Sequence, residues 1–157
     1  MRISTKADYA LRAMAQLAAD ANSAAVVGPV TAPQLADEQD IPLKFLHAVL
    51  TELKRARLVR SIRGADGGYE LMRPAEEITL ADVLRAVDGP LVNVHDTSLA
   101  TLSYPGAAKS LVRVWMAART GMRQVFERVT LADLAADLLP AQVAELADQY
   151  AEDTRFS

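Results

Sequence analysis

The sequence of 157 residues contains no cysteine. Without a thiol the chain cannot form a disulfide, a thiolate zinc site, a cysteine-held iron–sulfur cluster or a cysteine nucleophile. Aromatic residues are also scarce, at 5% of the chain, whereas hydrophobic residues as a whole make up 51%. A composition rich in alanine and leucine and poor in aromatics favours a mainly helical fold with a real core.

Long apolar segments are missing as well. No apolar run approaches the roughly 20 residues that a membrane-spanning helix needs, and the N-terminal residues MRISTKADYA contain no apolar signal core. We therefore expect a cytoplasmic protein that does not contact a membrane. Its length fits one domain, or one domain with a small appendage.

The net charge of −3 is unevenly distributed. Residues 1–75 contain ten Lys/Arg and eight Asp/Glu, whereas residues 76–157 contain seven and twelve. Between residues 44 and 63 the only acid is Glu52, against six basic residues: Lys44, Lys54, Arg55, Arg57, Arg60 and Arg63. This local excess creates a positive field whatever the total charge is. The alternative interpretation is a solvated helix face without a partner.

Three helices are predicted in the first 56 residues. The first runs from Thr5 to about Ala19, with Thr5 and Asp8 at the spacing of a capping box. The second begins after a Thr31 cap and ends near Asp40. The third covers about residues 42–56, and its core-facing positions repeat at helical spacing: Leu46, Val49, Leu50 and Leu53. Its opposite face is basic, polar and small: Lys44, His47, Ala48, Thr51 and Arg55.

The stretch SIRGADGGYEL, residues 61–71, contains three glycines within five residues. A phosphate-binding glycine loop leads from a strand into a helix. Here alternating residues and then Pro74 follow the glycines, and no Gly-Lys-Ser/Thr sequence is present. We therefore predict a hairpin tip between strands at 58–63 and 69–73, where glycine supplies positive φ.

A fourth helix is predicted from a Thr79 cap to Gly89-Pro90, which stops it. Residues 91–106 lack clear periodicity and are predicted to form a loop. His95 and Asp96 within it suggest a metal site only weakly, and we interpret them as polar loop residues.

The longest predicted helix covers about residues 107–129. Its apolar residues step by three and four, the period of a helix-on-helix seam: Ala108, Leu111, Trp115, Ala118, Met122, Val125 and Val129. A core helix within one protomer is the alternative. Because the neighbouring helices are too short to cover it, the pattern favours a homodimer. Helices from Thr130 to Leu139 and over about 140–150 are predicted to follow.

The order of these elements indicates a winged helix-turn-helix. The third helix would enter a major groove, and Arg63 lies where a wing can reach a minor groove. The predicted fold class is mainly α with a small two-stranded β-wing. We predict a winged helix-turn-helix DNA-binding domain over residues 1–89, a loop over 90–106, and a long dimerisation helix with C-terminal helices over 107–157.

Three blocks of the sequence resemble the Rrf2 family of bacterial transcription regulators: RISTKADYA, LADEQDIPLKFLHAVLTELKRARLVRSIRGADGGYEL and PAEEITLADVLRAVDGP. The resemblance covers nearly the whole chain. It implies a homodimeric winged-helix DNA binder that pairs through the long helix and reads a palindromic operator. Several family members sense redox state, nitric oxide or iron–sulfur supply through a cluster held by three cysteines. The corresponding loop here, LVNVHDTSLATLSYPG, has no cysteine, so we predict no cofactor.

The candidate site residues follow from these elements. The recognition helix supplies Pro42, Leu43, Lys44, Phe45, His47, Thr51 and Arg55; the wing supplies Arg63, Gly64, Gly67 and Gly68. The N-terminal block that resembles the family's backbone-contacting block supplies Ser4, Thr5, Lys6 and Tyr9, although capping and core roles compete for Thr5 and Tyr9. Phe45 could touch a thymine methyl group, but packing against the second helix is the favoured role. The candidate dimer interface is Leu111, Trp115, Ala118, Met122, Val125 and Val129.

We therefore predict a sequence-specific regulator that binds double-stranded DNA as a homodimer. A repressor is favoured over an activator, because a dimer that covers a promoter represses by exclusion. One alternative is a winged-helix protein-interaction module that does not touch DNA. Another is a sensor that binds an unknown small-molecule effector at the 91–106 loop and the dimer cleft. An enzyme is the least supported, since no Ser/His/Asp constellation is present.

Overall fold

The computed structural model describes residues 3–90 and 98–152, so His95 and Asp96 lie outside the described residues. The fold is mainly helical with a two-stranded antiparallel wing, as predicted. None of the helices in the described ranges is long and apolar enough to cross a bilayer. The elements are α1 (Thr5–Ala21), α2 (Ala32–Gln39), α3 (Leu43–Arg55), β1 (Val59–Ile62), β2 (Gly68–Leu71), α4 (Leu80–Asp88), α5 (Leu111–Phe126), α6 (Leu131–Ala135) and α7 (Ala141–Glu152).

Hydroxyl caps start several of these helices. Three threonine caps accept a hydrogen bond from the backbone N–H three residues on: Thr31, Thr79 and Thr130. The cap of α1 is Ser4, whose Oγ accepts from the amide of Ala7 at 3.0 Å. The capping box predicted for Thr5 and Asp8 is wrong, because Thr5 is already the first residue of the helix.

Helix α1 lies at the centre of the core and packs against α2, α3, α4 and α6. Met14 of α1 is fully buried, and so is Leu131 at the start of α6. The predicted core face of α3 is confirmed, since its four members are each at most 1% exposed: Leu46, Val49, Leu50 and Leu53. Burial of this apolar stripe fixes the orientation of α3 and leaves its opposite face in solvent.

The turn between α2 and α3 is tight. Asp40 adopts the left-handed conformation, with φ 49° and ψ 51°. Ile41 is 4% exposed, and its N–H donates to the carbonyl of Ala36 at 2.9 Å. Pro42 is the N-cap of α3. The buried isoleucine anchors the turn and thereby sets the angle at which α3 leaves α2.

The wing is anchored to the helical core by a bridge that the sequence analysis did not predict. Strands β1 and β2 pair antiparallel, with Val59 opposite Leu71. In addition, the N–H of Val30 donates to the carbonyl of Tyr69 at 2.9 Å, and the N–H of Tyr69 donates back at 2.7 Å. The segment between α1 and α2 therefore ends in a strand-like contact with the wing.

Helix α5 is shorter than the predicted 107–129. A 3-10 turn over Gly106–Ala108 precedes it, and the helix then runs from Leu111 to Phe126. Helix α6 also ends earlier than predicted, at Ala135 instead of Leu139. The short helix predicted after Pro140 is confirmed as α7.

Val129 borders a short antiparallel bridge between Thr79 and Thr130, which joins the starts of α4 and α6. The N–H of Leu80 donates to the carbonyl of Val129 at 2.9 Å, and the N–H of Leu131 donates to the carbonyl of Ile78 at 2.9 Å. Val129 is only 2% exposed. Its assignment to a dimer surface is therefore wrong, because its own protomer covers it.

Candidate nucleic-acid interface

The outward face of α3 is exposed along the whole helix, as its residues show: Lys44, His47, Ala48, Thr51 and Arg55. Thr51 Oγ1 donates to the carbonyl of His47 at 2.9 Å, so this hydroxyl is held close to its own helix. The predicted division of α3 into a core face and a solvent face is confirmed.

Phe45, in the first turn of α3, is 55% exposed. Its ring lies beside Tyr9 of α1, with a centroid separation of 6.4 Å and an interplanar angle of 43°. The favoured prediction, packing against the second helix, is wrong, because the ring is mostly in solvent and its aromatic partner is on α1. Leu43, in the same turn, is 39% exposed. The first turn of α3 therefore presents apolar side chains to solvent.

Arg12 positions the Tyr9 ring. Its guanidinium carbon lies 5.6 Å from the ring centroid, a cation–π distance. The same guanidinium donates to Asp8 Oδ2 at 3.1 Å and to the carbonyl of Gln39. Arg12 was not among the residues predicted from the sequence, although its four-residue spacing from Asp8 is typical of an ion pair on one helix face.

The N-terminal block is tied to the rest of the protein. Ser4 Oγ lies 2.7 and 2.9 Å from the two carboxylate oxygens of Asp88, to which its hydroxyl donates. Lys6 Nζ lies 3.2 Å from Glu52 Oε2 and 4.0 Å from Asp88 Oδ1. Thr5 is exposed. These contacts join the start of α1 to α3 and to the end of α4.

Arg63 directly follows β1 and is exposed at the base of the wing tip. Gly64 after it has a φ of +112°, a conformation that favours glycine. A Cβ on Gly67 would lie 2.2 Å from the carbonyl oxygen of Ile62, so only glycine fits there. Gly68 then begins β2. The glycines shape the tip that presents Arg63.

All six basic side chains of residues 44–63, which we call the basic surface, are exposed. Two are engaged within the protein: Lys54 Nζ donates to Ser61 Oγ at 2.7 Å, and Arg60 pairs with Glu70 across the hairpin. The other four have no ion-pair partner among residues 3–90 and 98–152: Lys44, Arg55, Arg57 and Arg63. Unpaired guanidinium and ammonium groups of this kind suit phosphate binding.

Helix α5 is poorly covered by its own protomer. Of its 16 residues only Val112 is buried, and Val114 and Met116 are 54% and 42% exposed. The remaining dimer candidates lie along this helix and are half-buried or exposed: Leu111, Trp115, Ala118, Met122 and Val125. Helix α7 has no buried residue. Apolar surface of this extent is typical of a protein–protein interface.

Glu127, just beyond α5, links that helix to α4. Its carboxylate accepts from Arg123 Nε at 3.0 Å and from a guanidinium nitrogen of Arg85. The hydrogen bond from Arg123, followed by that from Arg85, lowers the pKa of Glu127 below its usual value. The same contact raises the pKa of Arg123. This pairing is the main polar connection between the two helices in the described part of the chain.

The residues present do not fit a metal cluster. Among residues 3–90 and 98–152, no three His, Cys, Asp or Glu side chains are grouped to hold a metal ion. The three-cysteine cluster of the resembling regulators needs thiolates, and this chain has none. Iron–sulfur sensing of that kind therefore does not apply here.

Comparisons with known proteins agree with this geometry. The family model described as "Rrf2: Iron-dependent Transcriptional regulator" matches residues 3–137. The chain is 52% identical over 150 residues to "Putative HTH-type transcriptional regulator Rv1287" from Mycobacterium tuberculosis, covering 96% of this chain and 91% of that protein. It is 33% identical over 135 residues to "HTH-type transcriptional regulator CymR" from Bacillus subtilis, covering 86% and 90%.

Solved structures show the same fold. The structure of B. subtilis CymR superposes with a TM-score of 0.72 at 32% identity, covering 87% of this chain and 97% of that one. The structure of T. potens IscR superposes with a TM-score of 0.69 at 29% identity, covering 87% and 88%. These matches confirm the prediction of a regulator as opposed to an enzyme. The chain is a winged helix-turn-helix transcriptional regulator that belongs to the Rrf2 family.

Proposed function

We propose that this regulator binds a palindromic operator as a homodimer and represses transcription by covering promoter DNA. The observation that carries the proposal is a set of four exposed cations that have no ion-pair partner within residues 3–90 and 98–152: Lys44, Arg55, Arg57 and Arg63. They lie on and next to α3 and the wing, the elements with which a winged helix-turn-helix grips a duplex. A protein-interaction module would have no need of so many unpaired charges of one sign.

In this proposal the N-terminal half of α3 contacts the edges of the base pairs. Lys44 and His47 project from its exposed face, and a lysine there can donate to guanine O6 and N7 in the major groove. Arg55, near the other end, contacts phosphate and sets the register of the helix on the duplex. Arg63 enters the adjacent minor groove, where narrow A·T-rich sequence attracts a guanidinium.

The dimer forms through α5 in this proposal. The support is that this 16-residue helix has one buried residue, so its apolar seam is only partly covered in the protomer. A second copy that pairs the same face buries the seam with two-fold symmetry. The symmetry then sets two recognition helices about one duplex turn, or a multiple of it, apart, which requires a palindromic operator.

A second role, the sensing of an anionic small molecule, is favoured by one cavity. A space of about 330 Å³ lies between α4 and α5 and is lined by Gly89, Pro90 and three arginines, Arg85, Arg119 and Arg123. A ligand there would contact both the DNA-binding part and the proposed dimer helix. Titration of the operator complex with inorganic phosphate at constant ionic strength tests this role. An affinity that is unchanged by phosphate, or changed equally in Arg119→Ala, contradicts it.

Genome-wide footprinting with the purified protein tests the main proposal. We expect discrete sites with a shared palindrome, and in vitro transcription from those promoters should fall as the protein is added. Arg63→Glu should lose the sites, whereas Lys109→Glu, the same charge change at an exposed residue outside the basic surface, should keep them. Binding without discrete sites, or equal losses in both variants, would contradict sequence-specific recognition.

A further inference from the structure

An apolar cleft of about 400 Å³ opens between α1 and α3, beside the exposed face of the recognition helix. Its lining comes from the first turns of α1 and the first half of α3: Thr5, Lys6, Tyr9, Phe45, Ala48 and Val49. The proposed function assigns no role to this cleft.

The walls of the cleft are held in place. The Tyr9 ring contacts both the Arg12 guanidinium and the Phe45 ring. The Lys6–Glu52 ion pair, with 3.2 Å between Nζ and Oε2, also joins α1 to α3. A recognition pocket built on two packed helices needs little rearrangement to accept a ligand group.

The chemistry of the cleft and its surroundings selects the occupant. The walls are mostly apolar, and the one cation among them, Lys6, is paired with Glu52, so the cleft suits neither a phosphate nor a polar base edge. The unpaired Lys44 lies next to Phe45 in the chain, and Arg55 is exposed further along the same helix, so a polyanion is the expected neighbour. In the major groove of DNA, the apolar group that a base edge displays is the 5-methyl group of thymine.

We infer that this cleft receives the 5-methyl group of one thymine in each operator half-site, and that Phe45 is the residue that recognises it. The inference rests on the proposed function, since it names a feature of the DNA that this surface reads. The ring is 55% exposed in the free protein, so contact with a methyl group removes apolar surface from water on binding.

Replacement of single thymines by deoxyuridine tests the inference, because it deletes only the methyl group. The probe is a duplex of the operator found by footprinting, with each half-site thymine replaced in turn. Dissociation constants are measured by fluorescence anisotropy at fixed salt. We expect one position to weaken binding about fourfold per half-site, the loss that burial of one methyl group supports.

Two variants assign the methyl group to the cleft. Phe45→Ala should bind the parent operator more weakly and should show no further loss with deoxyuridine at the sensitive position. Leu43→Ala truncates an exposed apolar side chain in the same turn, outside the lining of the cleft, and should retain the full deoxyuridine effect. Both residues are substantially exposed, so circular dichroism should show an intact fold.

The outcomes separate this inference from the proposed function. If the protein binds discrete operators but no deoxyuridine position matters, the inference is overturned and the function stands. A uniform loss in Phe45→Ala with no dependence on thymine would assign the cleft to a deoxyribose and also overturn it. An equal deoxyuridine effect in the wild type and in Phe45→Ala would place the methyl group elsewhere. Absence of any discrete operator would instead refute the proposed function.

Discussion

The salt dependence of operator binding follows from the count of unpaired cations. Each protomer exposes four of them on the basic surface, Lys44, Arg55, Arg57 and Arg63, so the proposed dimer would carry twice that number. Each cation held against the duplex, whether at a phosphate like Arg55 or in a groove like Lys44 and Arg63, neutralises about one phosphate charge and releases condensed counterions. It contributes about −0.9 to the slope of log Kobs against log[salt] for B-DNA. We therefore expect a slope of about −7.

The Arg63→Ala variant tests the contribution of one of these four cations to the salt dependence. Removing one cation per protomer should reduce the steepness of the slope by about 2 for the dimer. The loss of a groove contact should also weaken binding by about 1 kcal/mol per half-site at fixed salt. The Lys109→Ala variant removes an exposed cation outside the basic surface and should leave the slope unchanged.

Fluorescence anisotropy with a labelled operator duplex, at KCl concentrations from about 50 to 200 mM, measures both quantities. A wild-type slope near −2 would mean that most of the exposed cations do not reach phosphates, which would refute the reasoning. A slope that Arg63→Ala and Lys109→Ala reduce equally would show that net charge, and not the position of Arg63, controls the interaction.

Three further predictions concern the fold and the dimer. Leu46→Ala removes a fully buried side chain from α3 and should lower the free energy of unfolding by about 2–5 kcal/mol. Urea titration at fixed protein concentration measures this loss. A loss below about 1 kcal/mol would show that the site is not well packed. Ala118→Glu places a charge at an exposed position of the α5 seam and should give monomers in sedimentation equilibrium. Thr120→Glu places the same charge elsewhere on the helix surface and should stay dimeric. If both variants are dimeric, the seam is not the dimer interface. Asp20→Asn removes a negative charge that is 8% exposed in the last turn of α1, where the helix dipole disfavours it, and should raise stability by up to about 1 kcal/mol. Asp20 Oδ1 accepts a hydrogen bond from Gln16 at 2.9 Å, and Oδ2 has no partner in the described ranges. An asparagine can keep the bond from Gln16, so a loss of stability in Asp20→Asn would contradict the prediction and show that the negative charge itself stabilises the fold.

Local sequence signals located most elements correctly because their causes are local. The Thr31 and Thr79 caps and the glycines of the wing act over three or four residues. The error at the start of α1 has a non-local cause. Ser4 and Thr5 are adjacent hydroxyl residues, and Ser4 is the cap that is also bonded to Asp88, 84 residues away in the chain.

The errors around α5 show what periodicity cannot supply. The three–four pattern continues through Ala108 and Val129, yet the helix stops short of both. The carbonyl of Val129 accepts a hydrogen bond from Leu80 at the start of α4, and the spacing of apolar residues does not predict that contact. The Val30–Tyr69 bridge is equally non-local. Hydrophobic spacing predicts which residues of a helix share a face, but contacts with distant segments decide where the helix ends.

The candidate site was predicted as a set of residue types, whereas its arrangement required the structure. Spacing identified the outward face of α3, and that face is exposed. The position of Phe45 beside Tyr9 depends on how α1 crosses α3. Arg12 lies against the same ring from three residues further along α1, and it also donates to the carbonyl of Gln39 at the end of α2. Sequence alone therefore favoured a packed Phe45, because a phenylalanine is more often buried than exposed.

A chain with a net charge of −3 can bind a polyanion because several of its acids are already paired. Glu52 pairs with Lys6 and Glu70 pairs with Arg60, while Asp88 accepts a hydrogen bond from Ser4 and lies 4.0 Å from Lys6 Nζ. Further acids lie on α6 and α7, and in physiological salt a charge acts mainly on groups within about 8–10 Å of it. The local potential at α3 and the wing is therefore set mainly by the cations there that have no ion-pair partner in the described part of the chain. The net charge therefore reports on the whole molecule, whereas the partner is selected by the cations that the fold leaves without a counter-ion.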